Sequence, residues 1–320
     1  MNISRHRREA LPRIDLAGPD RDRLLPLCRL KPGEIWQDPI VGHRVGVLDA
    51  TSQEDVRRLT AGETVGLALN DPPYNFSVGG RRSTDLFQVS ITEYMDFSRK
   101  WISAQLGSLA DDAAFYVWTG ADQRRGFAPL ADLVILMREF EELSSRNFIT
   151  LRNQRGYGTQ MNWMSIRQEL LYYTKGSPPF QPVYTLIPRI LKGYYKSVGG
   201  SIRDNDARSR SPTIRAGNVW VDIQQVFYRL AENVPGAYAQ KPLAAVERIL
   251  AASSRAGDKV LDCFSHSGTT LIACERSGRV CYTCDVDPVF AEITIRRIEH
   301  FRQSGRTGWQ WQSPFAEPEC

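Results

Sequence analysis

The stretch Thr64-Val-Gly-Leu-Ala-Leu-Asn-Asp-Pro-Pro-Tyr74 runs from a short apolar segment straight into an acidic turn with two prolines. Such a segment is typical of a strand buried on both faces of a parallel sheet. The prolines fix φ and remove two N–H donors, so the carbonyl groups of the turn are available to other donors. With the carboxylate of Asp71 and the ring of Tyr74, the turn suits a flat aromatic amine. The alternative is a Pro-Pro turn whose tyrosine packs locally.

Apolar segments of this kind recur along the chain, and helical patterns lie between them. The strand patterns cover 44–50, 64–70, 113–119, 148–151, 169–174, 259–264 and 279–286. The helical patterns cover 91–109, 127–143, 242–253 and 288–301, and a further helix starts near Thr269. Strands that alternate with helices predict an α/β fold with a mostly parallel sheet covered on both faces.

The composition is that of an ordinary globular protein, with 42% hydrophobic and 24% charged residues in a chain of 320. The chain has no apolar run of about 18 residues, the length that would predict a membrane span. Its polar start does not resemble a signal peptide. We therefore expect a cytoplasmic protein with no membrane partner. Six scattered cysteines fit free thiols in a reducing compartment.

Cys281 and Cys284 have a spacing that also occurs in zinc sites. They lie in a strand-like segment, however, where residues three apart face opposite sides of the sheet. No second ligand pair of the usual kind follows them. Core thiols are the favoured interpretation, and no metal is expected.

A second motif, Asp262-Cys-Phe-Ser-His-Ser-Gly-Thr-Thr-Leu271, follows a predicted strand and opens a helix. Ligands of open α/β sheets bind beyond the carboxyl ends of the strands, where small residues let them approach the backbone. The next strand ends in Asp285, which is placed to accept hydrogen bonds from a ribose diol. The Gly-x-Gly-x-x-Gly pattern of nicotinamide-binding proteins is absent. The alternative is a strand–helix turn capped by Ser267 and Thr269.

Together the two motifs resemble those of the DNA amino-methyltransferases, which transfer a methyl group from S-adenosylmethionine to an exocyclic amine. Asp71–Tyr74 is similar to the catalytic Asp-Pro-Pro-Tyr motif of this family. Gln240–Leu243 and Gly257–Thr270 are similar to its cofactor-binding half. The resemblance covers residues from about 35 to 302, and it implies S-adenosylmethionine as the cofactor.

The catalytic motif precedes the cofactor motif, which is the order found in the beta class of this family. The resemblance implies a permuted Rossmann-like class I methyltransferase sheet, mostly parallel with one antiparallel strand, and an inserted target-recognition segment. We expect no further sheet strand after the helix that ends near Phe301. The strand 44–50 is therefore expected beside the one that ends at Asp285, with Asp49 bordering the adenosine of the cofactor.

We expect five parts in the chain. They are an N-terminal arm (1–35), the catalytic half of the methyltransferase domain (36–175), a target-recognition insertion (176–220), the cofactor-binding half (221–302) and a C-terminal tail (303–320). Residues 176–216 contain seven Lys or Arg and two Asp, interleaved with aromatic residues. Such a local excess of positive charge favours a polyanionic partner. A solvated loop whose charges serve solubility is the alternative.

The motifs and the resemblance nominate three groups of residues. The catalytic candidates are Asp71, Pro72, Pro73 and Tyr74. The cofactor-binding candidates are Asp49, Ala50, Lys241, Pro242, Asp262, Phe264, Ser265, His266, Ser267, Gly268, Thr269, Thr270, Asp285 and Val286. The DNA-binding candidates are Arg81, Arg82, Arg155, Trp163, Arg189, Lys192, Tyr195, Lys196, Arg203, Arg208 and Arg210. A core position for Trp163 is an equally good interpretation.

His266 departs from the pattern of the family. The usual Phe-Cys-Gly-Ser-Gly turn reads Phe264-Ser-His-Ser-Gly268 here, with a histidine where glycine is usual. Either the backbone tolerates a side chain at this position or the loop is reshaped. A half-exposed histidine is the favoured interpretation, and a contact with the methionine part of the cofactor is the alternative.

The resemblance implies a site-specific methyltransferase that acts on the N6 amine of a flipped adenine in double-stranded DNA. Asp71 carries the choice of base, because aspartate at the first motif position is the adenine form of the family. The alternatives are a cytosine-N4 DNA methyltransferase, an RNA methyltransferase and a non-catalytic DNA-binding protein of the same fold. The resemblance is also compatible with a homodimer and with a cognate restriction endonuclease.

Overall fold

A nine-stranded sheet organises the chain in the computed structural model, which describes residue 14 and residues 18–74, 89–120, 129–157, 163–188, 195–204, 211–227 and 229–316. The strands are β1 (Ile35–Gln37), β2 (Arg44–Val47), β3 (Val65–Asn70), β4 (Leu109–Gly120), β5 (Ser144–Tyr157), β6 (Ser165–Lys175), β7 (Tyr184–Pro188), β8 (Tyr195–Val198), β9 (Ser201–Asp204), β10 (Thr213–Arg215), β11 (Val219–Trp220), β12 (Lys259–Asp262) and β13 (Val280–Asp285).

The α-helices lie between these strands and on both sides of the large sheet. They are α1 (Pro19–Asp22), α2 (Gln53–Leu59), α3 (Ile91–Leu106), α4 (Pro129–Leu136), α5 (Leu243–Ser253), α6 (Thr269–Arg276) and α7 (Pro288–Ser304). Two short 3-10 turns cover Leu25–Leu27 and Met137–Glu139. In the described part of the chain, none of these helices has the length and apolar character needed to cross a bilayer.

The strand order in the large sheet is β1-β2-β13-β12-β3-β4-β6-β5-β11. Strand β6 runs antiparallel to both β4 and β5, and the short edge strand β1 runs antiparallel to β2. The other neighbouring pairs are parallel. The predicted permuted sheet is therefore confirmed. So is the expected position of the N-terminal strand, because β2 pairs in parallel with β13, with Val47 opposite Asp285.

Two apolar layers hold the sheet between its helices. On one face, α5, α6 and α7 bury side chains such as Val246, Leu271 and Ile295 against the strands. On the other face, α2, α3 and α4 contribute residues such as Trp101 and Leu133. Because both faces are covered, the central strands are apolar on both sides, which explains their unbroken hydrophobic runs.

Helix α3 fixes the position of the turn that follows β3. It begins with a capping box in which Ser90 accepts from the backbone of Glu93 and the Glu93 side chain accepts from the backbone of Ser90. The Tyr94 hydroxyl donates to the Pro73 carbonyl over 2.9 Å. Near the other end of α3, the Gln105 amide donates to Asn70 Oδ1 over 2.8 Å. The helix therefore anchors the chain on both sides of Asp71.

The expected insertion at 176–220 contains two small two-stranded sheets. Strand β7 pairs with β10, and β8 pairs with β9, both in antiparallel fashion. The segment then returns to the large sheet, where β11 pairs in parallel with β5.

Several element boundaries differ from the sequence patterns. Helix α3 ends at Leu106, earlier than predicted, because β4 begins at Leu109 after Gly107. The helix predicted for 127–143 is α4 followed by a 3-10 turn. Helix α2 was not predicted, although Ser52 caps it through a bond from Asp55 N. Its seven residues are too few to show a clear period in sequence.

Candidate active site

The carboxyl ends of β3, β12 and β13 lie side by side in the sheet, and each ends at an acidic residue. Asp71 directly follows β3, whereas Asp262 and Asp285 are the last residues of β12 and β13. Parallel strands bring their carboxyl ends to one edge, which is where open α/β sheets bind ligands. The two motifs predicted from sequence therefore meet at one place.

Both carboxylate oxygens of Asp71 have partners. The Tyr74 hydroxyl donates to Oδ1 over 2.6 Å. The Lys241 ammonium donates to Oδ2 over 2.7 Å and forms an ion pair with it. The same ammonium lies 5.0 Å from the centre of the Tyr74 ring and 5.5 Å from that of Trp118. Burial and the neighbouring carboxylate hold the pKa of the Tyr74 phenol well above its usual value, so the phenol remains a donor.

The turn Asp71–Tyr74 forms an acidic corner whose backbone is restricted by two prolines, and one of its carbonyls has no partner among the described residues. Tyr94 engages the carbonyl of Pro73, while no donor in the described part of the chain bonds to the Pro72 carbonyl. Carbonyl oxygens that lack internal partners are available to a ligand. The corner thus offers fixed acceptors next to an aromatic ring, as the sequence predicts.

The loop between β12 and α6 is held by backbone hydrogen bonds. Phe264 N donates to Asp262 Oδ1 over 2.9 Å, and Ser265 N donates to the Cys284 carbonyl over 2.8 Å. Gly268 caps the helix with φ 74°, in the left-handed region. A Cβ there would lie 3.0 Å from Thr294 Cα on α7, so the loop depends on glycine at this position.

The structure shows how the loop accommodates a histidine at position 266. Its φ is 43°, so the backbone keeps the left-handed conformation that glycine adopts easily, and the loop carries the side chain at some strain. The ring packs against Phe290 with 4.5 Å between ring centroids. The backbone N–H donates to Asp285 Oδ2 over 2.9 Å. The side chain is half-exposed, as the sequence predicts, and it also lines the cavity described below, so its contact with the cofactor stays a prediction.

The buried cation Arg297 lies beneath this loop. Its guanidinium donates to the Ser267 carbonyl over 2.7 Å and to Thr269 Oγ1 over 3.2 Å. It also donates to the carbonyls of Thr307 and Glu232. Burial lowers the pKa of Arg297 to about 10, so the group stays charged at neutral pH. This side chain therefore links α7 to the loop, and no sequence pattern predicted it.

Two acids of the site have raised pKa values. Burial raises the pKa of Asp262 to about 7, although bonds from Thr270 and the Phe264 backbone oppose the shift. Burial also raises the pKa of Asp285 to about 7, against bonds from the backbones of Asp287 and His266. Groups with perturbed pKa values concentrate at functional sites.

These shifts predict that ligand binding at Asp285 depends on pH. A carboxyl group whose pKa is higher in the folded than in the unfolded chain stabilises the folded state at pH values below its unfolded pKa. This stabilisation is lost as the pH rises through about 7. A ribose diol needs the ionised acceptor, so S-adenosylhomocysteine should bind about tenfold more tightly at pH 8 than at pH 6. Calorimetry at the two pH values tests this. Asp285→Asn should reduce the pH dependence and leave the part that comes from Asp262, whose pKa is also about 7. An unchanged pH dependence in that variant would assign it to Asp262.

A cavity at this edge brings half of the catalytic and cofactor-binding candidates together. Its lining includes Asp71, Lys241, Asp262, Phe264, Ser265, His266, Ser267, Thr269 and Thr270. Leu69, Trp118 and Val246 also line it and were missed from sequence. Trp118 lies near the carboxyl end of β4, next to β3. This position at the end of a predicted strand could have identified it from sequence. Its Nε1–H has no hydrogen-bond partner among the described residues.

The remaining cofactor candidates do not line this cavity. Asp49 is exposed, and its carboxylate accepts from the backbone and hydroxyl of Thr51. Val286 is 73% exposed beside Asp285. Cys281 and Cys284 are buried on opposite faces of β13, as the strand geometry predicts.

Most of the DNA-binding candidates cannot be placed. Arg81, Arg82, Arg189, Lys192, Arg208 and Arg210 lie outside the described residues. For Arg155, Tyr195, Lys196 and Arg203, the structure describes the backbone of β5, β8 and β9 and not the side chains. Trp163 is 94% exposed, so the interpretation of this residue as a core aromatic is wrong.

A parallel sheet of this order, with the two motifs at neighbouring strand ends, defines a class I methyltransferase. The family model for N6/N4 DNA methylases matches residues 65–296. The chain is 29% identical over 255 residues to the Type II methyltransferase M1.MboII of Moraxella bovis, covering 74% of this chain and 91% of that protein. The chain thus belongs to the N6/N4 DNA methylase family and is an S-adenosylmethionine-dependent DNA methyltransferase.

Solved structures share this fold. TTHA0409 of Thermus thermophilus, complexed with S-adenosyl-L-methionine, superposes with a TM-score of 0.52 at 22% identity, covering 82% of this chain and 94% of that one. The PvuII DNA methyltransferase, named as cytosine-N4-specific, has a TM-score of 0.51 at 15% identity, covering 73% of this chain and 79% of that one.

The residues of the cavity fit S-adenosylmethionine. The amino-acid end of this cofactor carries an ammonium and a carboxylate, and the lining offers acids such as Asp262 and the cation Lys241. Asp285, at the end of the next strand, is an acceptor for a ribose diol. The donor set therefore matches a zwitterion joined to a nucleoside.

Proposed function

We propose that this methyltransferase acts on the N6 amine of adenine flipped out of double-stranded DNA. The observation that carries the proposal is the rigid acidic corner at Asp71. It lines the same cavity as the loop between β12 and α6, which we call the cofactor loop. Aspartate at this position is the form that adenine enzymes of the family carry. The four residues Asp71–Tyr74 are the proposed catalytic group.

The proposed chemistry follows from the acceptors of the corner. The lone pair of an exocyclic amine is delocalised into its ring, so the amine is a poor nucleophile. Hydrogen bonds from its two N–H groups to the Asp71 carboxylate and the Pro72 carbonyl favour a pyramidal nitrogen. Acceptors fixed around a developing positive charge stabilise it as an oxyanion hole stabilises a negative one. S-adenosylmethionine supplies the electrophilic methyl group when bound.

The protein also has to hold the base in place. The Tyr74 ring offers a stacking surface, and its hydroxyl fixes Asp71. Holding both reactants in one geometry contributes a large part of the rate gain. A base inside a duplex cannot reach a corner at the sheet edge. Flipping is therefore part of the proposal and costs a few kcal/mol.

Expression in a bacterial host without amino-methylated DNA tests the choice of base. We expect N6-methyladenine in the genomic DNA, detected by mass spectrometry of nucleosides, and none with Asp71→Ala. N4-methylcytosine in its place would establish the cytosine alternative. Methylation confined to RNA would overturn DNA as the substrate.

The segment 176–220 is the proposed target-recognition part. Its basic residues give affinity for phosphates, whereas contacts with base edges give specificity. Binding to duplex DNA should therefore weaken steeply with salt, by about 10³-fold or more between 50 and 200 mM if six or more phosphates are contacted. Fluorescence anisotropy with a labelled duplex measures the slope, and a flat response would exclude this segment as the DNA-binding surface.

Asp222, just after this segment, joins it to the cofactor half through a hydrogen bond and an ion pair. Arg248 on α5 donates to both carboxylate oxygens of Asp222, over 3.0 and 2.6 Å. Asp222 also accepts from Leu186 N on β7 over 3.1 Å. The guanidinium lies 5.0 Å from the centre of the Trp220 ring. The pair thus fixes β7 relative to α5.

Asp222→Asn should separate DNA recognition from cofactor binding. Loss of the charge loosens the attachment of β7, so the Kd for duplex DNA should rise about tenfold while that for S-adenosylhomocysteine stays unchanged. Glu54→Gln, which breaks an exposed ion pair with Arg57 on α2, is the matched control. Unchanged DNA affinity in Asp222→Asn would show that the pair does not position the recognition segment.

The homodimer and the cognate restriction endonuclease remain predictions from the family resemblance. Size-exclusion chromatography with light scattering tests the first.

A further inference from the structure

The ion pair between Lys241 and Asp71 conflicts with the chemistry proposed for the corner. Asp71 has to accept hydrogen bonds from the target amine, yet Tyr74 and Lys241 occupy its two oxygens. The ammonium also places a positive charge next to a group that should stabilise developing positive charge. Each carboxylate oxygen can accept a second hydrogen bond, but the paired ammonium takes one of these positions and its charge opposes the reaction as long as Lys241 is paired with Asp71.

Lys241 has a fixed backbone and a flexible side chain, so its ammonium can reach more than one partner. Its carbonyl accepts from Thr269 Oγ1 of the cofactor loop over 3.4 Å, and the next residue, Pro242, caps α5. The backbone is thus fixed, whereas the side chain has a flexible four-carbon stem. The ammonium lies 5.0 Å from the centre of the Tyr74 ring and 5.5 Å from that of Trp118, and the side chain is 7% exposed.

The charges of the cavity identify a competing partner. Lys241 is the one Lys or Arg among the described residues that line the cavity, where Asp71 and Asp262 are acidic. The amino-acid end of the cofactor carries a carboxylate that needs a cation. A buried carboxylate is costly without a charged or hydrogen-bonding partner.

We propose that Lys241 is shared between Asp71 and the carboxylate of the cofactor, so that cofactor binding frees Asp71 for the target amine. Lys241 is then a positioning residue that couples the two halves of the site. The coupling is reciprocal: whatever removes Lys241 from Asp71 favours the cofactor, and the cofactor favours the base. This inference rests on the proposed function, because it takes Asp71 as the acceptor for the amine.

Two ligands that differ in the amino-acid end test the proposal. S-adenosylhomocysteine has the carboxylate, and 5′-methylthioadenosine lacks the whole amino-acid part. Calorimetry measures both Kd values for the full-length wild type, Asp71→Asn, Lys241→Met and the double variant. Lys259→Met is the matched control, because Lys259 pairs with Glu63 at the amino end of β12. Binding of 5′-methylthioadenosine also reports that each variant is folded.

Asp71→Asn should bind S-adenosylhomocysteine about three- to tenfold more tightly, since Lys241 loses its competing partner. Lys241→Met should bind it at least about tenfold more weakly, and adding Asp71→Asn should then have no further effect. All variants should bind 5′-methylthioadenosine like the wild type.

Unchanged or weaker binding of S-adenosylhomocysteine by Asp71→Asn would overturn the proposal. Equal losses for both ligands in Lys241→Met would also overturn it, because they would show general damage to the site. These measurements use no DNA. Calorimetry therefore tests the coupling independently of the target base, which the nucleoside analysis identifies.

Discussion

Replacing Asp71 with alanine is expected to lower the rate of methyl transfer by about 10²–10³-fold or more without weakening the binding of S-adenosylhomocysteine. The carboxylate is the central acceptor of the corner, and its loss removes the group that favours a pyramidal amine. Cofactor affinity should persist because the loop after β12 is held by other contacts, including the bond from Phe264 N to Asp262. Single-turnover kinetics measure the rate, and calorimetry measures the affinity.

Asp96→Ala is the matched control for this variant. Asp96 is an exposed carboxylate that pairs with Arg99 on α3, away from the corner. It should retain the rate of the wild type, since exposed ion pairs contribute little. Equal losses of rate and cofactor affinity in Asp71→Ala would show that Asp71 has a structural role.

Arg297→Met is expected to destabilise the protein by about 3 kcal/mol or more and to weaken cofactor binding. The substitution leaves the carbonyls of Ser267 and Thr307 without their donor, whereas the Glu232 carbonyl keeps its bond from the Gln240 amide. Each buried acceptor that loses its partner costs about 1–3 kcal/mol. The Ser267 carbonyl belongs to the cofactor loop, so the loop should loosen as well. Urea unfolding and calorimetry measure the two effects.

The adjacent Arg296 provides the control for this prediction. Its guanidinium is partly exposed, pairs with Glu292 over 2.6 Å and lies over the Phe315 ring. Arg296→Met should cost about 1 kcal/mol or less and should leave cofactor affinity unchanged. Equal destabilisation by the two substitutions would mean that the buried bonds of Arg297 are not what stabilises the loop.

The sequence predicted the parts of the fold whose signals are local. The apolar run before Asp71 and the one before Asp262 are short, continuous and followed by small or rigid residues. Both the strand and the turn could therefore be predicted. The place of β2 beside β13 followed from the order of the motifs and not from any property of residues 44–50. Such an inference depends on the resemblance to a known family.

Contacts between distant segments could not be predicted in this way. Lys241 was assigned to the cofactor, but its bond to Asp71 joins residues 170 apart in sequence. Arg297 reads as an ordinary polar position of an amphipathic helix, yet it is fully buried. Tyr94 carries no motif, and its bond to Pro73 depends on how α3 lies across the sheet. These features arise from tertiary packing and leave no periodic trace.

Incubation of the purified protein with methyl-labelled S-adenosylmethionine and double-stranded DNA, followed by digestion to nucleosides, tests the central claim most directly. The acidic corner at Asp71 predicts label in N6-methyldeoxyadenosine, and none when Asp71→Ala replaces the wild type. Label in N4-methyldeoxycytidine, or incorporation into RNA alone, would contradict the account.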